Sequence, residues 1–139
     1  MSTDKADTAV PNIPGWLPDA RFDAPAELSR VLTSRVLPLV KNPARYIGGE
    51  LGTTAEGYDP QGANILLTFP DAYEVGMSHQ GLRILYTLLQ KREGTFCDLA
   101  YAPWPDMAAA MRAENLPLYA LEYRRAARQF DVIGFSLGY

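Results

Sequence analysis

One passage constrains the fold more than any other: ANILLTFPDAYEVGMSHQGLRILYTLL, residues 63–89. Ile65–Phe69 is a continuous apolar run of the kind that forms a strand buried on both faces. It stops at Pro70-Asp71. A polar stretch follows that holds Tyr73, Glu74, Ser78 and the chain's one histidine, His79. An apolar helix is predicted from about Gly81, capped by Ser78, with Leu82, Leu85, Tyr86 and Leu89 on one face and Ile84 and Leu88 widening it. A strand that hands over to a helix through a polar loop is where open α/β sheets bind ligands. The loop after Phe69 is therefore the first place to look for function.

The pattern repeats downstream. Thr95–Ala102 reads as a second strand ending at Pro103-Trp104-Pro105, and Asp106–Glu114 as a short helix stopped by Asn115 and Pro117. Leu118–Tyr123 reads as a third strand, Arg124–Gln129 as a brief helix and Asp131–Leu137 as a fourth strand. Strands alternating with helices at these lengths predict a Rossmann-like, mainly parallel sheet of about four strands with flanking helices.

Upstream, residues 1–24 carry Pro11, Pro14 and Pro18 with little periodicity and read as disordered or irregular. Residues 25–62 form a helical and Gly-rich connecting segment. Asp23-Ala-Pro25 looks like a helix start, and Leu28, Val31, Leu32, Val36 and Leu39 give it one apolar face. Gly48-Gly49, Gly52, Gly57 and Asp59-Pro60 then favour turns, with Leu51–Thr54 as a short edge strand or hairpin arm.

At 139 residues the chain holds one core. Its net charge of −3 gives no strong nucleic-acid signal, although Arg124, Arg125 and Arg128 cluster. A single cysteine, Cys97, excludes an internal disulfide and a cysteine-held metal site built by this chain alone. No run reaches the ~18 apolar residues of a membrane span, and the polar start predicts a cytoplasmic protein. A core strand ending near Tyr139 reads as a module cut from, or completed by, something larger.

If the strands are parallel, their carboxyl ends gather Asp71, Tyr73, Glu74, Ser78 and His79, then Trp104 and Asp106, then Glu122, and Ser136 last. His79 has the chemistry of a ligand or proton carrier, but without a second His or Cys at ligand spacing its more ordinary role is helix capping. Asp71 is expected to cap its turn and Glu74 to pair with an arginine such as Arg83. Gly76–Gly81 lacks a nucleotide fingerprint. Gly48-Gly49-Glu50 with Lys41 and Arg45 could hold an anion, though a turn docked on the sheet edge is the plainer reading. Trp104 between two prolines is a rigid aromatic corner, of a kind more often packed in a core than stacked on a ligand.

The strings KNPARYIGGELG (41–52), FPDAYEVGMSHQGLRILYTLL (69–89), APWPDMAAAMR (102–112), LPLYALEY (116–123) and FDVIGFSLGY (130–139) together resemble the amino-terminal part of a family of large radical SAM proteins. The first domain of that family is cobalamin-binding-like. The resemblance implies that residues 63–139 are such a domain, an accessory to a radical SAM barrel in the same or a separate chain. In the complete protein a CxxxCxxC motif of the barrel would hold the iron–sulfur cluster that cleaves S-adenosylmethionine. This chain has no such motif, so it would not be catalytic alone and no catalytic or metal-ligating residue is assigned. Cobalamin is the implied candidate cofactor, with Ser78, His79 and Ser136 as pocket contacts. Around His79 the aspartate of D-x-H-x-x-G is missing and the glycine stands one place early. A docking domain without cofactor and a free-standing small-molecule-binding α/β protein are the alternatives.

Overall fold

The computed structural model describes residues 19–54 and 56–137. The expectations for residues 1–18 and for the last two positions lie outside them. Strands β1 (Ala63–Phe69), β2 (Thr95–Tyr101) and β3 (Val132–Phe135) form one parallel sheet in the order β2-β1-β3. Ala63 pairs with Thr95 and Ile65 with Val132. The fold is the expected α/β layer with flanking helices and an irregular amino-terminal approach.

Helix α1 (Pro25–Val31) starts with proline in its first turn, where the missing N–H costs nothing. It continues through a π turn (Leu32–Val36) into a 3-10 turn at Leu37–Leu39, so Pro38 changes the helix type rather than ending the coil abruptly. Asp23 is not the cap; it pairs with Arg128. Gly94, in the left-handed region at φ 71°, turns the chain from the sheet-covering helix α3 (Gln80–Gln90) into β2.

Alternation along the strands divides the core. Leu67, Phe69, Cys97, Leu99 and Tyr101 share a buried cluster with Leu82 and Tyr86 of α3, with the amino-terminal helix, and with Met107 and Met111 of α4 (Pro105–Ala113). Leu66, Phe96 and Ala100 point the other way, onto Ala120, Phe130 and the half-buried Tyr58.

Three further sequence expectations change. Residues 73–78, read as a loop, form helix α2 (Tyr73–Ser78). Gly76 brings α2 so close to β2 that a Cβ there would lie 2.2 Å from two carbons of the Tyr101 ring. Leu118–Tyr123, the expected third of four strands, is not in the sheet; among the described residues the sheet has three. It is one arm of a tight excursion closed by a Tyr119–Ala126 antiparallel bridge, with Arg124 at φ 57°. The reason is Asp98. This fully buried carboxylate, in mid-strand, accepts the N–H groups of Glu122 (3.2 Å) and Tyr123 (2.8 Å), which would otherwise be free for a ladder. Among the described residues of the segment, Leu121 alone donates to a β2 backbone carbonyl, Leu99 O. Leu51–Thr54 likewise forms a turn, not a strand arm.

Candidate functional site

All three strands point the same way, so the loops after them share one edge. The order β2-β1-β3 sets the carboxyl ends of β1 and β3 side by side on that edge, and ligands of open α/β sheets bind outside such carboxyl ends. Ser136 stands there, its N–H donating to Thr68 O at 3.0 Å, and Thr68 Oγ1 donates to Gly134 O. Ser78 and His79 lie on the β1 side of the same edge. No hydrogen bond joins Ser78, His79 and Ser136 among the described residues.

His79 caps α3. Its Nδ1 accepts the Leu82 N–H at 3.1 Å, so Nδ1 carries no proton, and in the neutral ring the proton sits on Nε2. The ring leans on Phe69 with centroids 5.0 Å apart. Ser78, the expected cap, instead donates its hydroxyl to Val75 O inside α2. Histidine took the cap because Ser78 is still helical, whereas His79 is extended (φ −79°, ψ 101°), the conformation a capping residue needs.

The β1–β2 side of the edge is an open cleft walled by Pro70, Asp71, Ala72, Pro103, Trp104 and Pro105. Ala102 N–H donates to Asp71 O and ties its walls together. Asp71 Oδ1 takes the Ala72 N–H at 2.7 Å, the expected turn cap. Trp104 is 42% exposed, so it is not the core aromatic its setting suggested. The Arg45 guanidinium covers its ring at 4.3 Å from the centroid. Arg45, and not Arg83, is also the partner of Glu74. The Glu74 carboxyl is held below the usual range, first by its own backbone N–H and then by Arg45. Arg83 instead donates to Leu51 O.

The remaining candidates are spent internally. The Gly49 N–H goes to Glu122 and the Arg45 guanidinium to Glu74, so neither is left for an anion at the Gly48–Glu50 turn. The turn docks beside β2, as its plainer reading had it. Arg124 donates to Ile47 O, Arg125 lies over Tyr58, and Arg128 holds Asp23 and the Asp19 carbonyl, which dissolves the basic cluster. Cys97 is buried among apolar neighbours, and that burial pushes its thiol up to about 12. Among the described residues no group of three or more His, Cys, Asp and Glu side chains could hold a metal ion.

Sequence reasoning missed Asp98. Burial pushes its carboxyl up to about 7, outweighing the N–H groups of Tyr123, Leu99 and Glu122 that favour its charge. The signal was present: a lone acid inside the apolar string TFCDLAY must be either neutral or satisfied. It missed the Arg45–Trp104–Glu74 cluster as well, because 29 residues separate Arg45 from Glu74, Trp104 lies further on, and no local period links them.

Residues 81–139 match the family model described as "Radical SAM proteins, N-terminal". The match runs from the first turn of α3 through β3, somewhat under half of the chain, and it supports a radical SAM amino-terminal region. No curated protein matches the chain. No solved structure matches it. No helix among the described residues is long and apolar enough to cross a membrane.

Proposed function

We propose that this chain is an amino-terminal accessory domain of a radical SAM protein, a cobalamin-binding-like Rossmann layer that covers the mouth of a catalytic barrel with the carboxyl edge of its sheet. The family match over residues 81–139 carries this reading. It takes in one whole crossover helix, two of the three strands and the loop bearing Trp104. The single cysteine is consistent with it, since the three thiolates of an iron–sulfur cluster would have to come from the barrel.

The residues do not fit a corrinoid held by His79. A lower-ligand imidazole presents one nitrogen to cobalt and steadies the other as a donor. Here Nδ1 is an acceptor within the α3 cap, and ligation through Nε2 would require that cap to break or the ring to lose its remaining proton. The Ser78 hydroxyl is turned back into α2. The reading favoured is therefore docking and substrate shaping by the edge, with no chemistry routed through a corrinoid.

Two measurements test it. The coding sequence flanking this chain is read for a CxxxCxxC motif, and the purified chain is titrated with a catalytic barrel bearing one. A motif in cis or a barrel that binds the chain supports the accessory role; the absence of both overturns it. Hydroxocobalamin added to wild type and to His79→Ala should give the free corrinoid spectrum with both. A wild-type spectrum that shifts, and a variant spectrum that does not, would make His79 a ligand after all.

A further inference from the structure

We propose that the cleft between the carboxyl ends of β1 and β2 is a docking pocket for an arginine side chain presented by a protein partner. The pocket is independent of which protein that partner is.

Three features specify the ligand. Trp104 lines the cleft and is held by its neighbours. Prolines on both sides fix its backbone, its backbone N–H donates to Tyr46 Oη, and Arg45 covers one face of its ring, leaving the residue 42% exposed. An exposed indole held this way is a platform whose shape does not change on binding, so little ordering entropy opposes contact. Pro70, Pro103 and Pro105 wall the platform with rigid apolar surface and offer no N–H of their own. Asp71 also lines the cleft, with one carboxylate oxygen on the Ala72 N–H and the other free of protein donors among the described residues.

Proline walls, a part-exposed aromatic ring and a carboxylate acceptor in one cleft suit a planar cation with N–H groups at its edge. The guanidinium is that group, because it stacks on indole and also donates to carboxylate. An ammonium meets only the charge, and a neutral aromatic leaves Asp71 unanswered. Arg45 does not repel a second guanidinium strongly, since Glu74 pairs with it. The cleft is shallow and open on one side. A free small molecule would remain largely in water there, whereas a side chain gains its remaining contacts from the surface that presents it. Exposed Trp and incoming Arg are also the residue types that dominate interface energetics.

The test uses the full chain and N-acetyl-arginine N-methylamide as probe, followed by the Trp104 indole N–H resonance. The expected result is a saturable shift, weakened about fivefold or more by Asp71→Asn, with a weaker response to the lysine analogue and none to the uncharged citrulline analogue. Asp71 is exposed, so the variant should melt as the wild type does. Trp104→Phe, which keeps a ring, should retain weakened binding read from the Ala72 amide. Absence of saturation at ~100 mM, equal binding of citrulline, or an unaltered Asp71→Asn response overturns the proposal. A proline-rich peptide that shifts Trp104 equally in wild type and Asp71→Asn would overturn it in favour of an aromatic–proline groove.

Discussion

Both carboxylate oxygens of Glu122 accept the N–H of Gly49, at 3.0 and 2.9 Å, across 73 residues of sequence. The Thr53 hydroxyl donates to the same carboxylate at 2.9 Å. The turn can approach this closely because Gly48 is in the left-handed region at φ 72° and lacks a side chain; a Cβ would sit 2.8 Å from Leu121 O. Glu122 thus fastens the Gly-rich connection to the excursion beside β2, and Asp98 fastens that excursion to the strand.

Glu122→Ala should release the connection. The Gly49 amide is expected to exchange faster, with a stability loss of about 1–2 kcal/mol for the unmade charge-assisted bonds. Glu122→Gln keeps an acceptor and should fall between. Exchange at Gly49 that does not change in Glu122→Ala would mean the turn is held by something else.

Asp98 gives stability a pH dependence of unusual sign for an aspartate. In the folded chain burial pushes its carboxyl up to about 7, against about 3.9 in an unfolded chain. The native state therefore binds the proton more tightly. The stabilisation is complete below about pH 4 and is lost as pH rises through about 7. Its slope is bounded at roughly 1.4 kcal/mol per pH unit. Asp98→Asn removes the titration, so urea midpoints should show wild type exceeding the variant by more at pH 4.5 than at pH 7.5. A constant difference would place the charge elsewhere.

What could be read from sequence follows from the range of the forces involved. β1, β2, α3 and α4 are written in local periods, and their spans agree with the expectation to within a residue or two at most ends. Helix α2 was hidden because its determinant is one glycine, Gly76, facing Tyr101 across 25 residues. The segment LPLYALEY has the alternation of a strand, yet a single buried acid on another strand claims its amides. The position of the candidate edge was legible from strand order. Helix capping by His79 was the plainer reading of the sequence and is what its Nδ1 does, whereas the commitment of Arg45 depended on distant neighbours and had no local signature.

Gly76→Ala tests the α2 contact. Alanine favours a helix by ~1 kcal/mol over glycine, but here its Cβ would occupy the Tyr101 ring. Overpacking of this kind costs about 1–3 kcal/mol, so the variant should melt lower in spite of its better propensity. Adding Tyr101→Leu should return part of the loss. A Gly76→Ala protein at least as stable as wild type would show that α2 can move away freely.

His79→Ala should cost about 1 kcal/mol by removing the α3 cap, and His79→Asn or His79→Asp should restore most of it. Thermal melts of the three variants decide the point. Failure of both short polar residues to rescue would mean that the ring's packing on Phe69 matters more than its Nδ1.

The β3 edge gives the last expectation. Val132, Ile133 and Phe135 are 54%, 41% and 65% exposed, although they belong to a sheet strand. Residues 132–137, VIGFSL, contain no charge and no proline, the two devices that normally keep an edge from pairing. Leu85 and Leu88 of α3 add exposed apolar surface. The isolated chain should therefore self-associate with rising concentration, seen by sedimentation velocity. Phe135→Lys places a charge on the exposed edge without touching the core and should shift the chain toward monomer. A wild-type protein that sediments as a single monomer at high concentration would show that this edge is already covered.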